Sequence, residues 1–112
     1  MRAVKVKDYE KFIKKWSESS FDEKMAVIIV NGRKYLITRS VIIQIENEFN
    51  PELNYYRRKI YEVNAKPVEV IKITREYEVP GRKLVVSVVT NVYHLSQTLE
   101  VTKPDGIKME VK

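Results

Sequence analysis

SVIIQIENEFNPELNYYRRKIYE, residues 40–62, decides the architecture, because two periods run through it. Val41, Ile43 and Ile45 alternate as in a strand, whereas Ile42, Ile45, Phe49, Leu53, Tyr56 and Ile60 recur at the spacing of one helical face. The longer period spans more residues and is weighed more heavily, so residues 40–49 are expected to be helical. Asn50-Pro51-Glu52 then reads as a helix start, with an N-cap, a proline at the first helical position and an acid in the first turn. A second helix is therefore expected over residues 51–62, bent against the first and ended by Lys66-Pro67.

On either side, tight turns cut the chain into hairpins. Asn31-Gly32 tolerates positive φ at both central positions of a type I′ turn, so residues 27–30 fold back on 34–37. Val79-Pro80-Gly81-Arg82 has the type II pattern, and Lys103-Pro104-Asp105-Gly106 reads as a type I turn closed by a left-handed glycine. Before the first hairpin, Asp8 is an N-cap for a helix whose Tyr9, Phe12, Ile13 and Trp16 share one face. Lys11, Lys14, Lys15 and Glu18 fall on its other side, and residues 2–7 alternate as a short edge strand or an ordered tail.

From Val68 onward the chain reads as strand. Val68 and Val70 occupy one phase while Ile71, Ile73, Tyr77 and Val79 occupy the other, so a β-bulge is expected between Val70 and Ile71. Residues 84–95 are apolar in both phases, the pattern of a central strand covered on both faces. Leu99, Val101, Ile107, Met109 and Val111 alternate inward along two shorter strands.

The reading is one α+β domain over residues 1–112: an N-terminal helix, a β-hairpin, one or two further helices, then a four-stranded antiparallel meander forming a curved sheet packed on the helices. Cone-shaped α+β folds of the nuclear-transport-factor type share this order, and its first part runs βαββαβ as in ferredoxin-like folds. No residue motif ties the chain to either.

The 112 residues include no cysteine, which excludes disulfides and thiol catalysis. No apolar run is long enough to span a bilayer, and the charged N-terminus lacks a signal-peptide core, so no membrane and a cytoplasmic location are expected. Charged residues make up 32% of the chain, a balance compatible with a thermophilic source, although six asparagines argue against it.

No catalytic residue, metal site or cofactor is indicated. His94 is the only histidine, so a multi-histidine metal centre is excluded, and no nucleotide or metalloprotease motif is present. The phase of Val86, Val88 and Val92 carries His94 to the helix side, near Tyr9 or Trp16. Charge carries more information. The net charge is +6, with basic positions at Arg33, Lys34 and Arg39, at Arg57, Arg58 and Lys59 beside tyrosines, and at Arg82 and Lys83. Basic groups interleaved with aromatics follow a phosphate backbone, so a non-enzymatic protein contacting DNA or RNA ranks first. The alternative is a protein-interaction or homodimerisation module using an exposed sheet edge, or the second face of residues 84–95. A small-ligand pocket in a curved sheet, using Tyr77, Tyr93 and His94, ranks third.

Overall fold

The computed structural model describes residues 2–47 and 55–112. In chain order the elements are β1 (Ala3–Lys5), α1 (Tyr9–Glu18), β2 (Lys24–Val30), β3 (Arg33–Asn47), β4 (Tyr55–Lys59), β5 (Glu62–Val63), β6 (Glu69–Val79), β7 (Arg82–His94), β8 (Leu99–Thr102) and β9 (Lys108–Val111). The strands form two sheets. The larger runs β1-β2-β3-β7-β6, with β4 beside the second half of β3; the smaller runs β5-β8-β9. All pairings are antiparallel except β1 with β2.

The expected helices over residues 40–49 and 51–62 are corrected by the structure. Residues 40–47 continue strand β3, and Tyr55–Lys59 is a strand, so α1 is the one helix among the described residues. The Asn50-Pro51 helix start lies outside them. Ladder energetics explain the outcome. β7 pairs with β3 from Tyr35↔His94 to Asn47↔Arg82, and β4 takes up the other edge from Val41↔Lys59 to Ile45↔Tyr55. Ladder hydrogen bonds on both edges of residues 41–45 outweigh the helical repeat. Ile42 is half-buried although it lies in the opposite phase to buried Val41. An apolar run in both phases, the mark of a strand covered on both sides, imitates the helical period.

The second correction concerns the meander. β6 and β7 form a hairpin in the large sheet, but β8 does not pair with β7. Leu95 N–H still donates to Lys34 O (3.0 Å), and the chain then crosses to the small sheet. There Leu99, Val101 and Val111 cover Val27, Leu36 and Tyr93. This is the second face that the sequence reading left to a homodimer.

The other face carries α1. Ile13 and Trp16 pack on Ile28, Ile37 and Val92, with Phe12, Tyr35 and Ile71 around them. Asp8 caps this helix, its Oδ1 accepting from Lys11 N (3.2 Å). The layers are thus helix, large sheet, small sheet, drawn out to 53 × 29 × 20 Å by the long strands.

The third correction is the bulge. The β6–β7 register is unbroken from Glu69↔Val92 to Val79↔Arg82, with no extra residue between Val70 and Ile71. Only Val68 steps out of it, donating its N–H to Val92 O (2.7 Å). Val68 and Val70 are 61% and 55% exposed, so their apolar phase marks no buried face and no turning-over of the strand. The turns form where expected, with Asn31 and Gly32 at φ 51° and 78°.

Candidate interaction surface

The register gives the large sheet two unlike ends. At the end near Arg33 both faces are covered, by α1 and by the small sheet. Toward Asn47 the helix-side face continues through Ile43 and Ile45 of β3, Val86 and Leu84 of β7, and Ile73, Tyr77 and Val79 of β6. The α1 cluster ends at Ile37, Val92 and Ile71. Cover declines accordingly: Val86 is buried, Ile43, Ile45 and Leu84 are half-buried, and Tyr77 and Val79 are 41% and 49% exposed. Phe21, in the loop after α1, reaches over this face and holds the Arg75 guanidinium 4.7 Å above its ring.

β6 ends the sheet, and among the described residues no strand pairs with its outer edge. Alternation decides which of its backbone groups face outward. The Leu95 N–H to Lys34 O bond directs the odd-numbered residues of β7 toward β3, leaving its even-numbered residues, Arg82 to Val92, to bond β6. Their partners Glu69, Ile71, Ile73, Arg75, Tyr77 and Val79 are therefore satisfied inward. Val70, Lys72, Thr74, Glu76 and Glu78 present N–H and C=O to the outside.

The basic positions are spread over the sheet. Arg33 and Lys34 begin β3, whereas Arg82 faces Asn47 at its other end; the fourteen steps between, at about 3.3 Å each, span roughly 46 Å. Arg57, Arg58 and Lys59 lie opposite Ile43, Ile42 and Val41 on β4. Lys83 forms an ion pair with Glu76 (3.4 Å). Arg39 is 1% exposed, and its guanidinium is consumed internally. Nε donates to Asp22 O (2.8 Å), Nη1 to Trp16 O (2.6 Å) and Ser19 Oγ (2.8 Å), and Nη2 to Asp22 Oδ1 (2.5 Å). It closes the C-terminal end of α1 onto the sheet.

A different basic group emerges that the sequence reading missed. A groove of about 270 Å³ between β1 and α1 is lined by Val4, Val6 and Phe12, by Lys5, Lys7, Lys11 and Lys15, and by one acid, Asp8. Lys11 and Lys15, one turn apart on the outer side of α1, were a visible signal. The parallel docking of β1 that adds Lys5 was not.

Tyr77, Tyr93 and His94 do not meet. Tyr93 is buried against the small sheet, His94 is exposed on the opposite phase, and Tyr77 faces Leu84, ten positions along β7 from His94. The ring beside His94 is Tyr35, edge-on at 5.4 Å. Tyr35 also lines a cleft of about 370 Å³ with Tyr9, Val30, Asn31, Val68 and Glu69. In it the Tyr9 hydroxyl donates to Glu69 Oε2. Burial, then this bond and the carboxylate charge, push the Tyr9 hydroxyl above its usual pKa. Among the described residues no group of three or more His, Cys, Asp or Glu is placed to hold a metal ion, and no helix is long and apolar enough to cross a membrane.

Comparison with family models, curated proteins and solved structures found no match to this chain.

Proposed function

We propose that this protein is a non-enzymatic interaction module that works by strand addition at the outer edge of β6. One observation carries the reading: among the described residues the eleven-residue strand β6 is bonded into the sheet on one side only, with outward amides and carbonyls from Val70 to Glu78. Main-chain bonds along such an edge supply affinity to any extended partner, and the alternate side chains supply choice. The adjoining face, with Ile73 half-buried and Tyr77 and Val79 exposed, adds apolar area for a partner to cover. Charges at Lys72, Arg75, Glu76 and Glu78 guard the edge against indiscriminate pairing.

Amide hydrogen exchange tests this directly. Protection at Val70, Lys72, Thr74, Glu76 and Glu78 is expected to rise with protein concentration, while amides bonded inward stay protected throughout. Thr74→Pro removes an outward N–H and keeps the backbone ladder to β7, losing only the Thr74–Ser87 hydroxyl contact (3.2 Å), and should abolish that rise and leave the fold intact. Fast exchange of the five amides at every concentration would remove the reading.

A polyanion, nucleic acid included, is the second reading, and the lysine groove beside α1 favours it together with the net charge of +6. The sequence-derived positions Arg33, Lys34, Arg58, Lys59 and Arg82 offer a phosphate backbone no single track. Under this reading, oligonucleotide affinity falls steeply with salt, and replacing Lys7, Lys11, Lys14 and Lys15 by glutamine flattens the slope. Binding that is absent at low ionic strength would exclude it.

A further inference from the structure

Resting on the edge-pairing reading, we infer that the partner of β6 is β6 of a second copy, antiparallel, with a two-fold axis through Thr74. A two-fold axis perpendicular to a sheet keeps each face on its own side, so a residue must meet one of the same phase. This restricts the dyad to a residue position, not a point between residues. Centring on Thr74 uses the full strand and sets Glu69 opposite Val79, Val70 opposite Glu78, Ile71 opposite Tyr77, Lys72 opposite Glu76 and Ile73 opposite Arg75. Opposite charges meet twice across the dyad, and no like charges do. Moving the dyad to Arg75 stacks that guanidinium on its own copy. Moving it to Ile73 sets Lys72 against Thr74 and Arg75 against Ile71, losing both ion pairs.

Backbone phase agrees. Thr74 belongs to the set whose N–H and C=O face outward, so the central pair is a hydrogen-bonded one and the bonds continue outward through Lys72–Glu76 and Val70–Glu78. Lys72 forms no ion pair among the described residues, whereas Glu76 already holds Lys83 at 3.4 Å and would lie between two ammonium groups.

The faces are complementary as well. Tyr77 and Val79, 41% and 49% exposed at the open end of one copy, come alongside Ile71 and Glu69 of the other, where α1 covers the sheet. Phe21, 37% exposed above Arg75, stands beside the dyad in both copies. The arrangement consumes both long edges, so assembly stops at two.

Because the chain has no cysteine, Thr74→Cys creates a single thiol per copy. Residues directly opposite in a hydrogen-bonded pair lie about 5.5 Å apart between Cα atoms, inside disulfide range. Thr74→Cys should therefore cross-link under mild oxidation, while Val70→Cys, whose copy lies far along the partner strand, should not. In sedimentation equilibrium the wild type should reach a dimer and stop. Lys72→Glu should weaken the dimer by about ten-fold or more, since two like-charged pairs replace two ion pairs. The double swap K72E/E76K should restore it. A β6 edge that becomes protected with concentration while Thr74→Cys stays unlinked and the swap fails to rescue would overturn this register and leave edge pairing standing. A monomer at the highest soluble concentration, with the β6 amides exchanging freely, would overturn both.

Discussion

The Arg39 guanidinium lies 5.0 Å over the Trp16 ring, and its Nη1 donates to the Trp16 carbonyl at 2.6 Å. One residue of β3 thus grips both the side chain and the backbone of the last turn of α1, where helix carbonyls have no intrahelical partner. The grip joins the helix to the sheet at the boundary between its covered and open ends.

Replacing Arg39 should unfold or loosen that boundary. Arg39→Ala removes the guanidinium's bonds to Trp16 O, Ser19 and Asp22 and leaves a gap under the indole, so a loss of about 2–5 kcal/mol, chiefly from lost packing, is expected in urea titrations. Arg39→Lys should recover only part of it, because an ammonium cannot reproduce the fork that reaches Asp22, Ser19 and Trp16 together.

Acid should weaken the same joint. The hydrogen bond from Ser20, and then the charge and hydrogen bond of Arg39, hold the Asp22 carboxyl below its usual range. A carboxyl with a depressed folded pKa contributes stability above its unfolded value, and that contribution fades as pH falls through the folded one. Thermal melts of the wild type should therefore fall below about pH 4, with a shallower decline in Asp22→Asn. Asp22 is largely exposed, so solvent screening keeps the difference small.

Thr90 faces Arg39 across the β3–β7 ladder, is 0% exposed, and its hydroxyl has no hydrogen-bond partner among the described residues. Thr90→Val keeps the shape and removes the orphaned group. A gain of about 1 kcal/mol is expected from denaturant midpoints. A loss would mean that the hydroxyl has found a partner in solution.

The Tyr9–Glu69 bond ties the first turn of α1 to the start of β6. Tyr9→Phe should cost about 1 kcal/mol and speed exchange of the Glu69 and Ile71 amides. A phenol with a raised folded pKa contributes stability below its unfolded value, near pH 10, and loses it as pH rises further. The alkaline decline of the wild type should therefore be reduced in the variant.

Residue order by itself determined the features decided within a few positions of the chain. Asn31-Gly32, Pro80-Gly81 and Gly106 adopt the turns their backbones favour, with Gly81 and Gly106 at φ 74° and 86°. Asp8 and the Tyr9, Phe12, Ile13, Trp16 face made α1 legible, and the two-phase apolar pattern of residues 84–95 marked a strand covered on both sides. Tertiary structure decided the remainder. Residues 40–47 became strand because β7 and β4 supply ladder bonds from far along the chain, which no local period records. The last two strands leave the meander and bury Leu36 and Tyr93 beneath Leu99, Val101 and Val111, a long-range contact that local alternation does not record. Arg39 looked like a surface cation until the end of α1 closed over it, and Lys5 joined the helix lysines only through the parallel docking of β1. The free edge of β6 is likewise a property of sheet order. A strand's own residues specify which side chains alternate, but only its neighbours determine which backbone groups are left unpaired.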